Sequence, residues 1–218
     1  MRKLLVLFSL LAFASATHAA EYHLGADVLS GHVFRGQEIG SAGTIGVQPH
    51  VGLVSGGFSV GVRAHGFIQD RDSLDVFDQA SVTVAHAFST DQAMFSVGVH
   101  QDFYADDNGE DTATEVFSSL RFPAPLSPKI TVGYNFSNRP AWDYDWYISL
   151  SGSTRIRCID VSASVGLSDA DGSLDFHDAN ITASQKIDLP HFSLSPHVRL
   201  AYSGRDAYYW IFGLSVSR

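Results

Sequence analysis

The sequence predicts an all-β protein, an antiparallel up-and-down transmembrane β-barrel of about 12 strands. Apolar and polar residues alternate with a period of two from residue 22 to the end, most regularly over residues 159–168 (Ile-Asp-Val-Ser-Ala-Ser-Val-Gly-Leu-Ser). Short and long connections alternate between these segments, and aromatic residues are concentrated beside both kinds of connection. Strands that separate hydrocarbon from an aqueous lumen have this pattern, with one apolar face and one small or polar face.

The first residues predict export. Met1-Arg2-Lys3 is a short basic start, residues 4–13 are an apolar run, and residues 14–20 are mostly small. This is the pattern of a secretory signal peptide, and we expect cleavage after Ala19. The apolar run is too short to anchor the chain in a bilayer. The predicted organisation is therefore a signal peptide, residues 1–19, and one barrel domain, residues 20–218.

Twelve segments carry the alternation, each bounded by a turn or loop. Merging or splitting one hairpin would give 10 or 14 strands instead. In chain order the predicted strands are 22–35, 43–54, 57–68, 74–88, 92–104, 112–122, 129–137, 143–153, 157–168, 176–187, 191–203 and 206–217.

The connections differ in length from one end of the predicted barrel to the other. Short turns lie on the periplasmic side of outer-membrane barrels, so an even number of strands places both chain ends there. The short connections include Ser55-Gly56, Ser89-Thr90-Asp91 and Asp188-Leu189-Pro190, and the longer ones are 36–42, 69–73, 105–111, 138–142 and 169–175.

The side with the long loops is acidic. We expect divalent cations to gather there loosely, between the barrel and the anionic headgroups of outer-membrane lipids and lipopolysaccharide. These lipids and the barrel-assembly machinery are the partners that the architecture predicts. The acidic residues are Asp70, Asp72, Asp106, Asp107, Glu110, Asp111, Asp169 and Asp171.

Aromatic residues form two groups that match the two interfaces of a bilayer. Beside the short turns are Phe58, Phe88, Phe95, Phe122 and Phe192. Beside the long loops are Phe34, Phe103, Phe136, Trp142, Tyr144, Trp146, Tyr202, Tyr208 and Trp210.

The charge excludes one class of partner. Loss of the signal peptide removes two of the 14 basic residues, which leaves 12 against 23 acidic residues and a formal charge of −11. Such a balance disfavours nucleic acid, whose phosphates require basic contacts. The single cysteine, Cys158, excludes an internal disulfide.

A soluble β-sandwich or a lipocalin-like barrel would also show alternation, with its apolar face pointing inward. Two features favour the membrane barrel. The predicted strands are about 10 residues or longer, whereas strands of soluble proteins usually have about 5–6 residues. The polar face also carries many Gly, Ser and charged residues.

The stretch Ser30-Gly31-His32-Val33-Phe34-Arg35-Gly36 resembles the opening signature of a family of small, uncharacterised proteobacterial outer-membrane proteins. That family favours Asp and Tyr at the positions of Gly31 and His32. Barrels of this kind usually end in an aromatic residue, whereas this chain ends in Arg218. The resemblance implies the fold and the outer membrane of a Gram-negative bacterium, and it implies no established activity.

Charged residues on the polar face are the candidates for a functional lumen. If Phe34 faces lipid, Arg35 faces the lumen, and the same phase places charges of both signs inside. Opposed basic and acidic walls would orient small hydrophilic solutes in a narrow channel. Alternatively the charges pair with one another, and the barrel is a closed structural or envelope-interaction protein. The pore-lining candidates are Arg35, Arg63, His100, Asp102, Glu115, Arg121, Asp145, Asp160 and Arg199.

A lipid-modifying enzyme is the third hypothesis. Ser30 and His32 on the lipid face of the first strand could act as nucleophile and base, but no acidic partner is evident. The histidines show no zinc-site spacing, and the glycines form no phosphate cradle. We therefore predict no enzymatic activity, no catalytic residue, no metal and no cofactor.

Overall fold

The computed structural model describes residues 20–34, 37–39, 44–70, 73–104, 111–136, 145–169, 173–203 and 207–218. Among these residues no helix is long and apolar enough to cross a membrane. The barrel strands are β1 Glu21–Leu29, β2 Ile45–Ser55, β3 Phe58–Asp70, β4 Ser73–Ser89, β5 Met94–Tyr104, β6 Asp111–Arg121, β7 Lys129–Asn135, β8 Trp146–Ile156, β9 Ile159–Ser168, β10 Asp175–Ser184, β11 Ser193–Ser203 and β12 Ala207–Ser217.

These twelve strands form one closed antiparallel sheet. Each pairs with its neighbours along the chain, and β12 pairs with β1 to close the barrel. The predicted fold class and strand number are confirmed. The short segments His32–Phe34 and Gln37–Ile39 form a separate hairpin, and Ile187–Asp188 adds a short strand beside the start of β11.

The strand registers place the apolar side chains outside. Leu150 on β8 lies opposite Val165 on β9, and their exposed fractions are 51% and 44%. On the other face of the same strands, Ser151 lies opposite Ser164. A continuous apolar surface around the whole barrel would be unfavourable in water, so we assign it to the hydrocarbon of a bilayer.

Aromatic side chains cluster on the outer surface near both ends of the barrel. At the end with the short turns, the ring centroids of Phe58 and His86 are 4.1 Å apart, and Phe88 packs edge-on against His86. At the opposite end, Tyr134 packs against Trp146 at 4.8 Å. Two interfacial groups are therefore present, although the side chain of Phe34, and Trp142 and Tyr144 entirely, lie outside the described residues.

The first strand is shorter than predicted. The backbone N–H of Ser30 donates to the carbonyl of Phe212, and the Ser30 hydroxyl accepts the N–H of Phe212. The chain then leaves the barrel wall, and Val33 packs inside against Leu29, Ala201 and Ile211. The prediction of a single strand over 22–35 was wrong because the inserted hairpin continues the alternation of the wall strand. The side chains of Phe34 and Arg35 lie outside the described residues, so their orientation towards lipid and lumen stays a prediction.

Two connections also differ from the prediction. The expected long loop at 69–73 is short, because β3 continues to Asp70 and β4 begins at Ser73, with register shifts between them. The tight turn predicted at 188–190 is present at 189–192, where the N–H of Leu189 donates to the carbonyl of Phe192, but the strand before it is interrupted after Ser184. Ile187 there pairs with Leu194, so the alternation of the predicted strand 176–187 belongs to two strands.

Candidate functional site

The lumen is the candidate functional site, because polar side chains of the barrel converge there. Gln48, Gln79, Asp102 and Asp178 are each less than 5% exposed. Their strands also carry the exposed apolar residues of the outer surface, so alternation along each strand positions both sets. We describe the lumen through two cavities, named here the histidine cavity and the cationic cavity.

The histidine cavity has a volume of about 380 Å³ and lies between β2, β3, β4 and β5. His50, Arg63, His65 and His100 line it. The imidazole of His100 lies between a hydroxyl and a carboxylate, with Thr83 Oγ1 at 2.8 Å from Nδ1 and Asp102 Oδ1 at 3.1 Å from Nε2.

Arg63 is held near an acidic group of the neighbouring wall. Its Nη2 lies 4.0 Å from Oδ2 of Asp27, and His50 Nδ1 lies 3.8 Å from the same oxygen. Positive and negative groups are therefore mixed in and beside this cavity.

The cationic cavity has a volume of about 450 Å³. Arg121 on β6 lies directly opposite Lys129 on β7, and Lys129 lies opposite Ser151 on β8. Arg199 on β11 lies opposite Thr182 on β10. The three cations share this cavity with many hydroxyl groups, those of Ser127, Thr131, Ser149, Ser151, Ser153, Ser162, Ser164 and Thr182.

Two lumen carboxylates, those of Glu115 and Asp178, lie against the wall beside glycines. A Cβ on Gly133 would lie 2.6 Å from Cδ of Glu115, and a Cβ on Gly166 would collide with Asp178 and Tyr147. Asp102, Glu115 and Asp178 are at most 5% exposed.

Asp178 is fully engaged by neighbouring side chains. Its Oδ2 accepts the Tyr147 hydroxyl at 2.7 Å, and its Oδ1 accepts Asn180 Nδ2 at 3.0 Å. This carboxylate is therefore shielded from the lumen.

The structure places the predicted lining residues in different surroundings. Arg63, His100 and Asp102 line the histidine cavity, and Arg121 and Arg199 line the cationic cavity. Glu115 is buried between them in the wall, across from His100 and Asn135.

Two predicted residues lie at the barrel ends instead. Asp145 is exposed, just before β8. Asp160 accepts both Nε and Nη2 of Arg155, at 2.7 and 2.8 Å, beside a short turn. Neither residue lines the two cavities, and their place in an acidic wall of the pore stays a prediction. Arg35 lies outside the described residues.

The sequence reasoning missed Lys129 and the inserted hairpin. Lys129 has the same phase as Thr131 and Gly133 on the polar face of its strand, so the alternation could have found it. Val33 has the phase of Asp27 and Leu29, so the alternation indicated its inward position but not that it belongs to a separate hairpin.

The barrel is similar to solved outer-membrane proteins. The KdgM porin, solved in complex with disordered oligogalacturonate, gives a TM-score of 0.58 at 10% identity, covering 91% of this chain and 98% of that chain. Outer membrane phospholipase A from Escherichia coli gives 0.53 at 10% identity, covering 93% and 92%. The NanC porin gives 0.51 at 12% identity, covering 90% and 98%.

At these identities the similarity shows the fold, that of an outer-membrane barrel. No family model matches the sequence, and no curated protein matches it.

The geometry suits passage or binding of polar solutes better than chemistry. Among the described residues, no group of three or more His, Cys, Asp or Glu side chains could hold a metal ion. Thr83, His100 and Asp102 form a chain of hydrogen bonds in the order of a nucleophile, a base and an acid. However, Thr83 is paired on both sides within the sheet, where backbone N–H groups are used by the ladder and are not available to stabilise an oxyanion.

Proposed function

We propose that this protein is a narrow outer-membrane channel for small hydrophilic solutes. The observation that carries the proposal is a lumen lined by polar and charged side chains that still contains cavities of about 380 and 450 Å³. A barrel filled by paired charges would leave little such space. The similarity to two porins supports the same role through the fold.

The proposal also includes how the protein is exported, inserted into the membrane and surrounded by lipid. Residues 1–19 direct export and are removed, the barrel-assembly machinery inserts the chain, and lipopolysaccharide surrounds the loop end. The predicted loose cation binding at the acidic loops is also part of it. Of those acidic residues, Asp169 uses Oδ1 to accept the N–H groups of Asp145 and Trp146. Passive passage requires no catalytic residue and no cofactor.

A closed barrel of structural function is the second candidate, and the inserted hairpin favours it. Val33 is 5% exposed and lines the cationic cavity, so the hairpin narrows the lumen. Closure would require that this hairpin block the passage completely.

Conductance of the refolded protein in a planar bilayer separates the two candidates. A channel gives steady conductance steps in potassium chloride, and Arg35→Ala changes their size if this residue lines the pore as predicted. Absence of conductance from correctly folded protein at any applied voltage would contradict the channel and support the closed barrel.

A further inference from the structure

Two carboxylates of the described lumen are buried in the wall, whereas three cations are open to the cationic cavity. Asp102 and Asp178 are buried in the wall at 1% exposure, whereas Arg121, Lys129 and Arg199 line the open space of the cationic cavity. A solute in that cavity would therefore meet positive charge, although the chain as a whole is acidic.

The three cations form no direct ion pair in the described part of the chain, although Asp27 lines a cavity together with Arg199. Among the described residues, no carboxylate oxygen lies within 4.0 Å of a side-chain nitrogen of Arg121, Lys129 or Arg199, although Arg63, Arg155 and Lys186 each have such a partner. Arg121 and Lys129 are also adjacent across the β6 and β7 register. Two like charges held side by side favour an anion between them.

Among the described residues, Asp178 is the one carboxylate that lines this cavity, and it forms no ion pair with the three cations. Asp178 is engaged by Tyr147 and Asn180 and turned into the wall. Among the described side chains that line the cavity, three cations face one carboxylate, and the low-dielectric wall of a narrow barrel focuses this excess of positive charge on the passage.

Hydroxyl groups occupy much of the remaining surface. Ser151, Ser153, Ser162 and Ser164 form two facing pairs on β8 and β9, and Thr182 lies beside Arg199. A hydroxyl can both donate and accept a hydrogen bond, and so can the hydroxyl groups of a sugar. Their small size also leaves the volume of about 450 Å³ free.

The positive surface continues towards the histidine cavity. A third cavity of about 410 Å³ contains Arg199, Arg63 and Asp27, two cations and one carboxylate. An anion could therefore pass from the Arg121 and Lys129 pair to Arg199 and then to Arg63, with a cationic side chain near it at each step.

We propose that the cationic cavity binds small anions that carry hydroxyl groups, a carboxylated monosaccharide being the type, and that this makes the channel anion-selective. The proposal rests on the proposed channel function. The carboxylate would lie against Arg121 and Lys129, where charge-assisted hydrogen bonds are strongest, and the sugar hydroxyls would exchange hydrogen bonds with the serine pairs.

The first test measures the reversal potential in planar bilayers across a potassium chloride gradient. The wild-type channel is expected to prefer chloride, and the double variant Arg121→Gln, Lys129→Gln is expected to lose most of that preference. Lys186→Gln is the matched control, because Lys186 lies in a turn outside the cavity and pairs with Asp188 at 2.9 Å. If the double variant does not fold, the single substitution Lys129→Gln, at the first residue of β7, is the less disruptive variant to measure.

The second test measures how three probes reduce the chloride current: glucuronate, propionate and glucose. Glucuronate has both the carboxylate and the hydroxyls. It is expected to reduce the chloride current at a concentration about tenfold lower than propionate or glucose, because one additional strong hydrogen bond gives a difference of that size. The double variant should remove this difference.

The outcomes distinguish this proposal from the channel function. Absence of any conductance would overturn the channel itself. Conductance without chloride preference, or with a preference that the double variant leaves unchanged, would overturn the anion site alone. Equal effects of glucuronate and propionate would overturn the part assigned to the hydroxyl groups.

Discussion

At the residue scale, the charge that the lumen presents depends on which side chains can lie against the barrel wall. A glycine on the neighbouring strand lets a carboxylate lie along the sheet, and this occurs twice, at Gly166 directly opposite Asp178 and at Gly133 diagonally across from Glu115. The burial of these acids determines the charge that a solute meets. Elsewhere on the polar face, as at Arg121, the side chain reaches the cavity.

Gly166→Ala is expected to destabilise the barrel by about 1–3 kcal/mol, because the added methyl group would collide with the ring of Tyr147 and the carboxylate of Asp178, which are buried and hydrogen-bonded to each other. Unfolding in urea, followed by tryptophan fluorescence, measures the change. Gly61→Ala is the control, since its Cβ would meet no atom closer than 4.0 Å. Equal effects of the two substitutions would contradict the steric explanation.

At the scale of elements, the hairpin of His32–Phe34 and Gln37–Ile39 is the feature that the strand pattern does not reveal. The hairpin is anchored by an apolar cluster inside a mostly polar lumen, with Val33 against Leu29, Ala201 and Ile211. An apolar anchor in such surroundings gives the hairpin one preferred position, because few other interior sites would bury it.

Val33→Asn is expected to increase the single-channel conductance. The substitution places an amide among Leu29, Ala201 and Ile211, which offer no side-chain hydrogen bond, so the hairpin loses its anchor and the passage widens. Val33→Ile keeps the apolar contact and serves as the control, with conductance close to that of the wild type. An unchanged or lower conductance for Val33→Asn would show that the hairpin does not narrow the pore.

At the scale of the whole molecule, the bilayer imposes the pattern that made the fold predictable. Each crossing strand must present apolar groups to lipid and polar groups to the lumen, so the period of two recurs twelve times and identifies both strands and faces. The same rule identified Arg63, Arg121 and Arg199 as inward residues.

The sequence could not show which inward charges reach a solute. That depends on cross-strand neighbours, such as Gly166 opposite Asp178, which are known only when the register is known. It also could not show where β1 leaves the wall, because the hairpin repeats the alternation of the strand before it.

The central claim is that the apolar face contacts lipid and the polar face encloses the lumen. Spin labels test it most directly, because Cys158 is the only cysteine in the chain and is exposed in a turn, where Cys158→Ser removes it. In that background, Val165→Cys and Ser164→Cys place labels on opposite faces of β9. In lipid vesicles, the label at 165 should be relaxed mainly by oxygen and the label at 164 mainly by a water-soluble nickel chelate. The reverse pattern would contradict the account, since it would place the apolar face in the interior.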